Sequence, residues 1–316
     1  MLAYEKICPI CQSQNTKKHS PQTGKQRYLC KDCLKTWTGA ARPSRLVKII
    51  WREFAFELHT INQLCRRYGR GKDWLRRQLS VYQPPELRHQ PRSIVLILDA
   101  TYFGWSFGVL VAMDATDGSV VYYAWLDGSE RTSDYQTAVD TLESLGYTIQ
   151  AAVIDGRRGV RQMLLEKGIL VQHCQFHQLQ TITQCLTRKP KLPANQELRA
   201  IALSLTKTDQ ASLAEQLAGW HEHHGGWLSQ RYRDETGRQR YRHARTRRAY
   251  FSLIHNQDYL FTCQLHPRAI PNTTNRLDGQ FGVWKMSLKR HRGCSKTLKT
   301  KLLRSFFSRT TEKPSN

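Results

Sequence analysis

Ile94-Val95-Leu96-Ile97-Leu98-Asp99-Ala100-Thr101 (residues 94–101) is a run of five apolar residues that ends on a carboxylate. An unbroken apolar run this short suits a strand buried on both faces, with Asp99 at its end. Outward from it, Gly104 to Met113 and Ser119 to Trp125 read as two more strands, joined by the turn Asp114-Ala115-Thr116-Asp117-Gly118. Thr132 or Ser133 can start a helix through Leu145. Ala151 to Ile154 reads as a fourth, buried strand ending in Asp155. A helix from about Arg157 to Lys167 and a short strand, Ile169 to Gln172, follow.

Three antiparallel strands and then alternating helix and strand predict an α/β fold with a ribonuclease-H-like mixed sheet. If the first and fourth strands pair, Asp99 and Asp155 lie side by side. Hard ions such as Mg²⁺ take oxygen ligands and retain water. Two such ions, roughly 3.5–4 Å apart, activate an attacking oxygen and stabilise a leaving one. A third acid to complete the cage has to come from later in the chain.

Towards the N-terminus stand two tight pairs, Cys8-Pro9-Ile10-Cys11 and Cys30-Lys31-Asp32-Cys33. Each pair forms a turn that aims two thiolates at one ion, and together they give the tetrahedral sulfur set that suits Zn²⁺. So short a segment has too little core to fold without such a staple. Lys25 to Leu29 and Thr36 to Thr38 read as its strands, so residues 1–40 are expected to be a zinc ribbon. Residues 44–82 then carry three helix patterns. Ser44 caps Leu46, Ile50, Phe54 and Leu58; Thr60 caps Ile61, Leu64 and Cys65; a Gly69/Gly71 turn precedes Trp74, Leu75 and Leu79. This order is that of a helix-turn-helix-like module, whose last helix would bring Lys72, Arg76 and Arg77 to the major groove. A plain helical connector is the alternative. Residues 83–93, with Pro84, Pro85 and Pro91, read as a stiff linker to a domain over 94–307.

The charge narrows the partners. There are 49 Lys and Arg against 25 Asp and Glu, a formal net charge of +24. A chain this basic repels itself unless a polyanion neutralises it, and nucleic acid is the default polyanion. No apolar run reaches the roughly 18 residues of a spanning helix, and the first residues hold no apolar signal core. Nine cysteines, an odd number, fit a reducing cytoplasm and metal binding better than a disulfide framework. Residues 178 to about 262 read as an all-helical insertion. Within it Arg240, Arg242, Arg245, Arg247 and Arg248, interleaved with tyrosines, suit phosphate pairing and base stacking. Lys289 and Arg290 add a second basic face, and residues 308–316 read as a tail.

Over roughly residues 94 to 295 the chain resembles the Mutator-like bacterial insertion-sequence transposases. The resemblance rests on LDATYF around Asp99, VIDGRRGV around Asp155, Cys174-Gln175-Phe176-His177, and TTNRLDGQFGVWKMSLKRHRG around Asp278. It implies a metal-bound acid triad of Asp99, Asp155 and Asp278, holding Mg²⁺ or Mn²⁺. It also implies cutting of element ends and strand transfer into target DNA, by a homo-oligomer on double-stranded DNA in the cytoplasm, at the nucleoid. Asp278 stands where the family usually has glutamate, one methylene longer. Cys174 and His177 match a C-x2-H motif whose part is positional or DNA-contacting; a packed helix start is the alternative. Taken singly, Asp99 and Asp155 read equally as strand ends, and Asp278 as an acid favoured in a helix's first turn. Two other functions stay open: a catalytically inactive DNA-binding descendant of a transposase, and a nuclease that cuts without joining.

Overall fold

The computed structural model describes residues 8, 10–11, 13–22, 25–38, 45–104, 107–266 and 269–310. The chain divides into two compact units, residues 1–83 and 84–316.

The first unit opens with β1 (Thr16–Gln22), β2 (Lys25–Cys30) and β3 (Thr36–Thr38), an antiparallel sheet in the order β1-β2-β3. Three helices follow: α1 (Arg45–Ala55), α2 (Ile61–Tyr68) and α3 (Lys72–Val81). Thr60 and Gln63 close a reciprocal capping box on α2, and Gly69, at φ +59°, ends that helix in the left-handed region. The buried stripe of α1 is Val47, Ile50, Trp51 and Phe54. Leu46 is exposed, and Leu58 lies beyond the helix at φ +56°, so neither belongs to the stripe the sequence predicts. The expected cap at Ser44 lies outside the described residues. Leu64, Leu75 and Leu79 complete this small core. Glu53 is buried in it, satisfied by the Tyr68 hydroxyl at 2.8 Å and by Arg67 at 3.3 Å.

The second unit is built on a five-stranded mixed sheet. Its strands are β4 (Ser93–Tyr102), β5 (Gly108–Asp114), β6 (Val120–Leu126), β7 (Thr148–Ile154) and β8 (Leu170–His173). Their order is β6-β5-β4-β7-β8, antiparallel from β4 to β6 and parallel from β4 to β8. The central strand β4 is apolar on both faces because both are covered. On one face Ile94, Leu96 and Leu98 pack with α4 (Thr132–Ser144) and α5 (Arg158–Glu166) through Tyr135, Val139, Leu142, Val160 and Leu164.

From the end of β8 the chain leaves into a helical subdomain of α6 (Gln175–Leu186), α7 (Pro193–Leu203) and α8 (Gln210–Leu228). It has its own core, including Leu198, Leu213, Leu217, Trp220 and Leu253. This insertion is not wholly helical. Between α8 and α9 (Ala244–Leu260) stands an antiparallel hairpin, β9 (Arg231–Arg233) and β10 (Gln239–Tyr241). The cause is local: Gly237 turns the chain at φ +78°, and Asp234 accepts the N–H groups of Thr236 and Arg238.

The chain then returns through α10 (Asn275–Arg290) and α11 (Lys296–Thr310). Helix α11 runs through Ser308 to Thr310, so these residues do not belong to the predicted tail, whose remainder lies outside the described residues. Phe307 explains the extension, since its buried ring packs against Tyr123, Trp125 and Trp284.

Candidate functional site

Among the described residues two groups of metal-ligand side chains form, one in each unit. In the first unit the Sγ atoms of Cys8 and Cys33 are 3.6 Å apart and those of Cys11 and Cys30 are 3.5 Å apart. All four sulfurs lie within 4.8 Å of one another. A tetrahedral S₄ site with Zn–S near 2.3 Å places its sulfurs about 3.8 Å apart. The spacing and the donor chemistry therefore fit Zn²⁺. The turn geometry favours two of the thiolates. Neighbouring sulfurs help to push Cys11 up to about 12, and Cys33 also rises. The Cys33 N–H aimed at Cys30, however, draws the Cys30 thiol down to about 7, and N–H groups of Cys11 and Ile10 lower Cys8 against burial. These N–H groups come from the backbone of the knuckles.

In the second unit Asp99, His177 and Asp278 bring one ligand atom each within 4.8 Å. Asp99 is not at the end of its strand, where the sequence predicts it, because β4 runs on to Tyr102. It closes the unbroken buried run from Ile94, is almost wholly buried, and accepts the Ala100 N–H at 2.8 Å. Burial pushes its carboxyl up to about 7, partly offset by the Ala100 N–H and by His177. Asp278 sits in the first turn of α10, where the Thr274 hydroxyl donates to it at 2.9 Å. His177 reaches the group from the first turn of α6. Cys174, at the start of the same helix, is buried and hydrogen-bonded by the Thr274 N–H at 3.3 Å. The hydrogen bond to Cys174 raises His177 to about 9, against its partial burial, with Asp99 and Asp278 adding to the rise. Cys174 moves the opposite way, below the ordinary thiol range: burial opposes the shift, and His177 and Thr274 outweigh it. Thr274 thus ties together Cys174, His177 and Asp278.

Asp155 stands at the matching place just past the end of the neighbouring strand β7. The last parallel pairing is Ile97 with Val153, and each aspartate lies two residues beyond it. Its negative charge raises Asp99. Its carboxylate, however, is outside the 4.8 Å group and turns to its own loop, accepting the Arg157 N–H at 3.2 Å. Arg157 also pairs with Glu130, whose other oxygen accepts the Tyr135 hydroxyl. The sequence alone leaves the part of His177 open. The available signal was its position, three residues into a helix that leaves the strand beside the Asp155 strand.

The oxygen donors are the carboxylates of Asp99 and Asp278, with that of Asp155 just past the adjacent strand, and they suit Mg²⁺ or Mn²⁺. His177, raised to about 9, stands beside them as a cation and not as a ligand.

The predicted DNA-contacting residues lie at three places. Lys72, Arg76 and Arg77 are exposed on α3, where Arg76 pairs with Asp73 at 3.1 Å. Lys289 and Arg290 are exposed at the end of α10. The arginine-rich stretch is the hairpin and the start of α9. Arg231 and Arg247 cover the Tyr241 ring at 4.5 and 4.1 Å, and Arg247 also lies 4.5 Å over Phe251. Arg240 pairs with Asp234, Arg245 donates to the Gln184 carbonyl, and Arg242 and Arg248 are exposed. No family model matches the chain, and no curated protein matches it.

Proposed function

We propose that the chain is a DNA transposase of the insertion-sequence type, with a ribonuclease-H-like catalytic domain that hydrolyses phosphodiesters and transfers strands. The observation that carries the reading is the meeting of Asp99 from the central strand with Asp278 from a distant helix, with Asp155 just past the end of the next strand. When bound, Mg²⁺ or Mn²⁺ supplies charge neutralisation at the phosphate and a more acidic attacking oxygen. Asp99 and Asp278 would hold it, with Asp155 joining as its carboxylate swings from the Arg157 loop. His177, kept charged by Cys174 and Asp99, places a positive group beside the acids and orients them through Thr274. The net charge of +24, the exposed arginines and the Cys₄ ribbon support DNA as the partner and Zn²⁺ as a structural ion.

The test uses the full chain and DNA flanking its own gene, with and without Mn²⁺. Metal-dependent nicks at defined ends are expected, lost in Asp99→Ala while binding persists. A second reading, a DNA-binding protein that no longer cuts, draws on the withdrawn Asp155 carboxylate. It predicts binding that Asp99→Ala and Asp278→Ala leave unchanged, and no metal-dependent product from any of the three proteins.

A further inference from the structure

Past Asp99 the chain runs through Tyr102 and Phe103, turns at Gly104 with φ +64°, and returns at Phe107. These three rings wall a cavity of about 290 Å³. Its other side is Leu288 with four cations: Lys285 and Lys289 of α10, Arg292 just beyond it, and Lys299 of α11. No carboxylate lines it, and none of the four cations is in an ion pair among the described residues.

The walls are held in place. Tyr102 lies flat against Gly108, where a Cβ would stand 2.7 Å from two ring carbons. The Tyr102 hydroxyl accepts the Glu130 N–H at 2.8 Å. The Phe103 N–H donates to the Phe107 carbonyl at 2.9 Å, and their ring centroids are 5.2 Å apart. Phe107 in turn meets Trp125 edge-on at 5.7 Å. A volume near the lower end of small-molecule sites, about 300 Å³, admits one flat heterocycle and excludes a base pair with its backbone. Aromatic walls with unpaired cations around them suit a planar ring flanked by phosphates.

Position adds to chemistry. Asp278 and Lys285 lie two turns apart on one face of α10, about 10 Å. Tyr102 is three strand residues past Asp99, again about 10 Å. Along both elements the cavity thus lies about 10 Å from the acid group, a span of a few nucleotides at roughly 3.4 Å each.

We propose that this cavity receives a single unpaired base of the DNA strand held at the acid group, stacked on Phe103 and Tyr102, with the four cations on its neighbouring phosphates. The proposal rests on the DNA-cutting reading above. The experiment compares two duplexes, one fully paired and one carrying a single unpaired 2-aminopurine, with the full chain in Mn²⁺. Binding about tenfold tighter to the duplex with the unpaired base is expected, the scale of one base–aromatic stack, together with a fall in 2-aminopurine fluorescence. Phe103→Leu should lose both effects and bind the paired duplex as before, whereas Phe103→Trp should keep both. Equal affinity for the two duplexes, or quenching that persists in Phe103→Leu, overturns the proposal. Preference and quenching without any metal-dependent nick would sustain the base site and remove the transposase reading instead.

Discussion

Gly156 leaves no room for a side chain. It stands at φ +91°, and a Cβ there would lie 2.0 Å from Cε1 of His173. Gly156→Ala should therefore cost about 2 kcal/mol or more of stability in urea denaturation and move the adjoining Asp155 loop. An unchanged midpoint would show that the loop relaxes freely. His173 itself is buried, and its Nδ1 has no hydrogen-bond partner among the described residues. Burial, with Arg161 and His177 nearby, draws it down to about 4. Unfolding lets it take up a proton below about 6.5, so its neutral burial stabilises the fold above that pH and the contribution is lost as pH falls towards 4. Full loss amounts to about 3 kcal/mol. Asp99, raised to about 7, works in the other direction over the same range. The measurement is thus the stability difference between the wild type and His173→Gln: it should shrink steadily from pH 7 to pH 4, and a flat difference would refute the assignment.

At the scale of elements, the ribbon depends on its four sulfurs, because its small sheet buries little besides Tyr28, Cys8 and Cys30. Chelation should abolish the signal of Trp37, which packs on Tyr28 at 6.0 Å, while leaving the helical signal of the second unit. Loss of both together would show that the metal holds more than the ribbon. Thr60→Ala should cost about 1 kcal/mol through the lost α2 cap. Both elements are legible in the sequence because their signals are local: paired cysteines, a Thr-x-x-Gln box, a glycine stop. The strands of the large sheet are legible for the same reason, as short apolar runs between turns. The hairpin at Arg231–Tyr241 was hidden by its surroundings. Three-residue strands of arginine and tyrosine show no apolar alternation, and only the Asp234-to-Gly237 turn marks them. The part of His177 was hidden differently, since its neighbours Asp99 and Asp278 come from other elements far along the chain.

At the scale of the molecule, a net charge of +24 makes any DNA complex steeply salt-dependent. Each phosphate contact contributes about −0.9 to the slope of log K against log salt. Replacing Arg238, Arg242 and Arg248 with alanine should flatten that slope by roughly 2–3, and a slope equal to the wild type's would remove the hairpin region from the interface. The acid group is a property of this scale as well. Asp99 enters with the first strand of the sheet, and Asp278 arrives only with the penultimate helix. Synthesis therefore delivers the ribbon, the three small helices and most of the basic surface before the centre is complete. On the proposed reading, a chain stopped near residue 262 would keep the ribbon, the small helices and the arginine hairpin that face DNA, and lack the acid that completes the cutting centre. Any shortened product of this gene is then a competitor of the finished one, and the order of the chain sets a brake on the element's own movement.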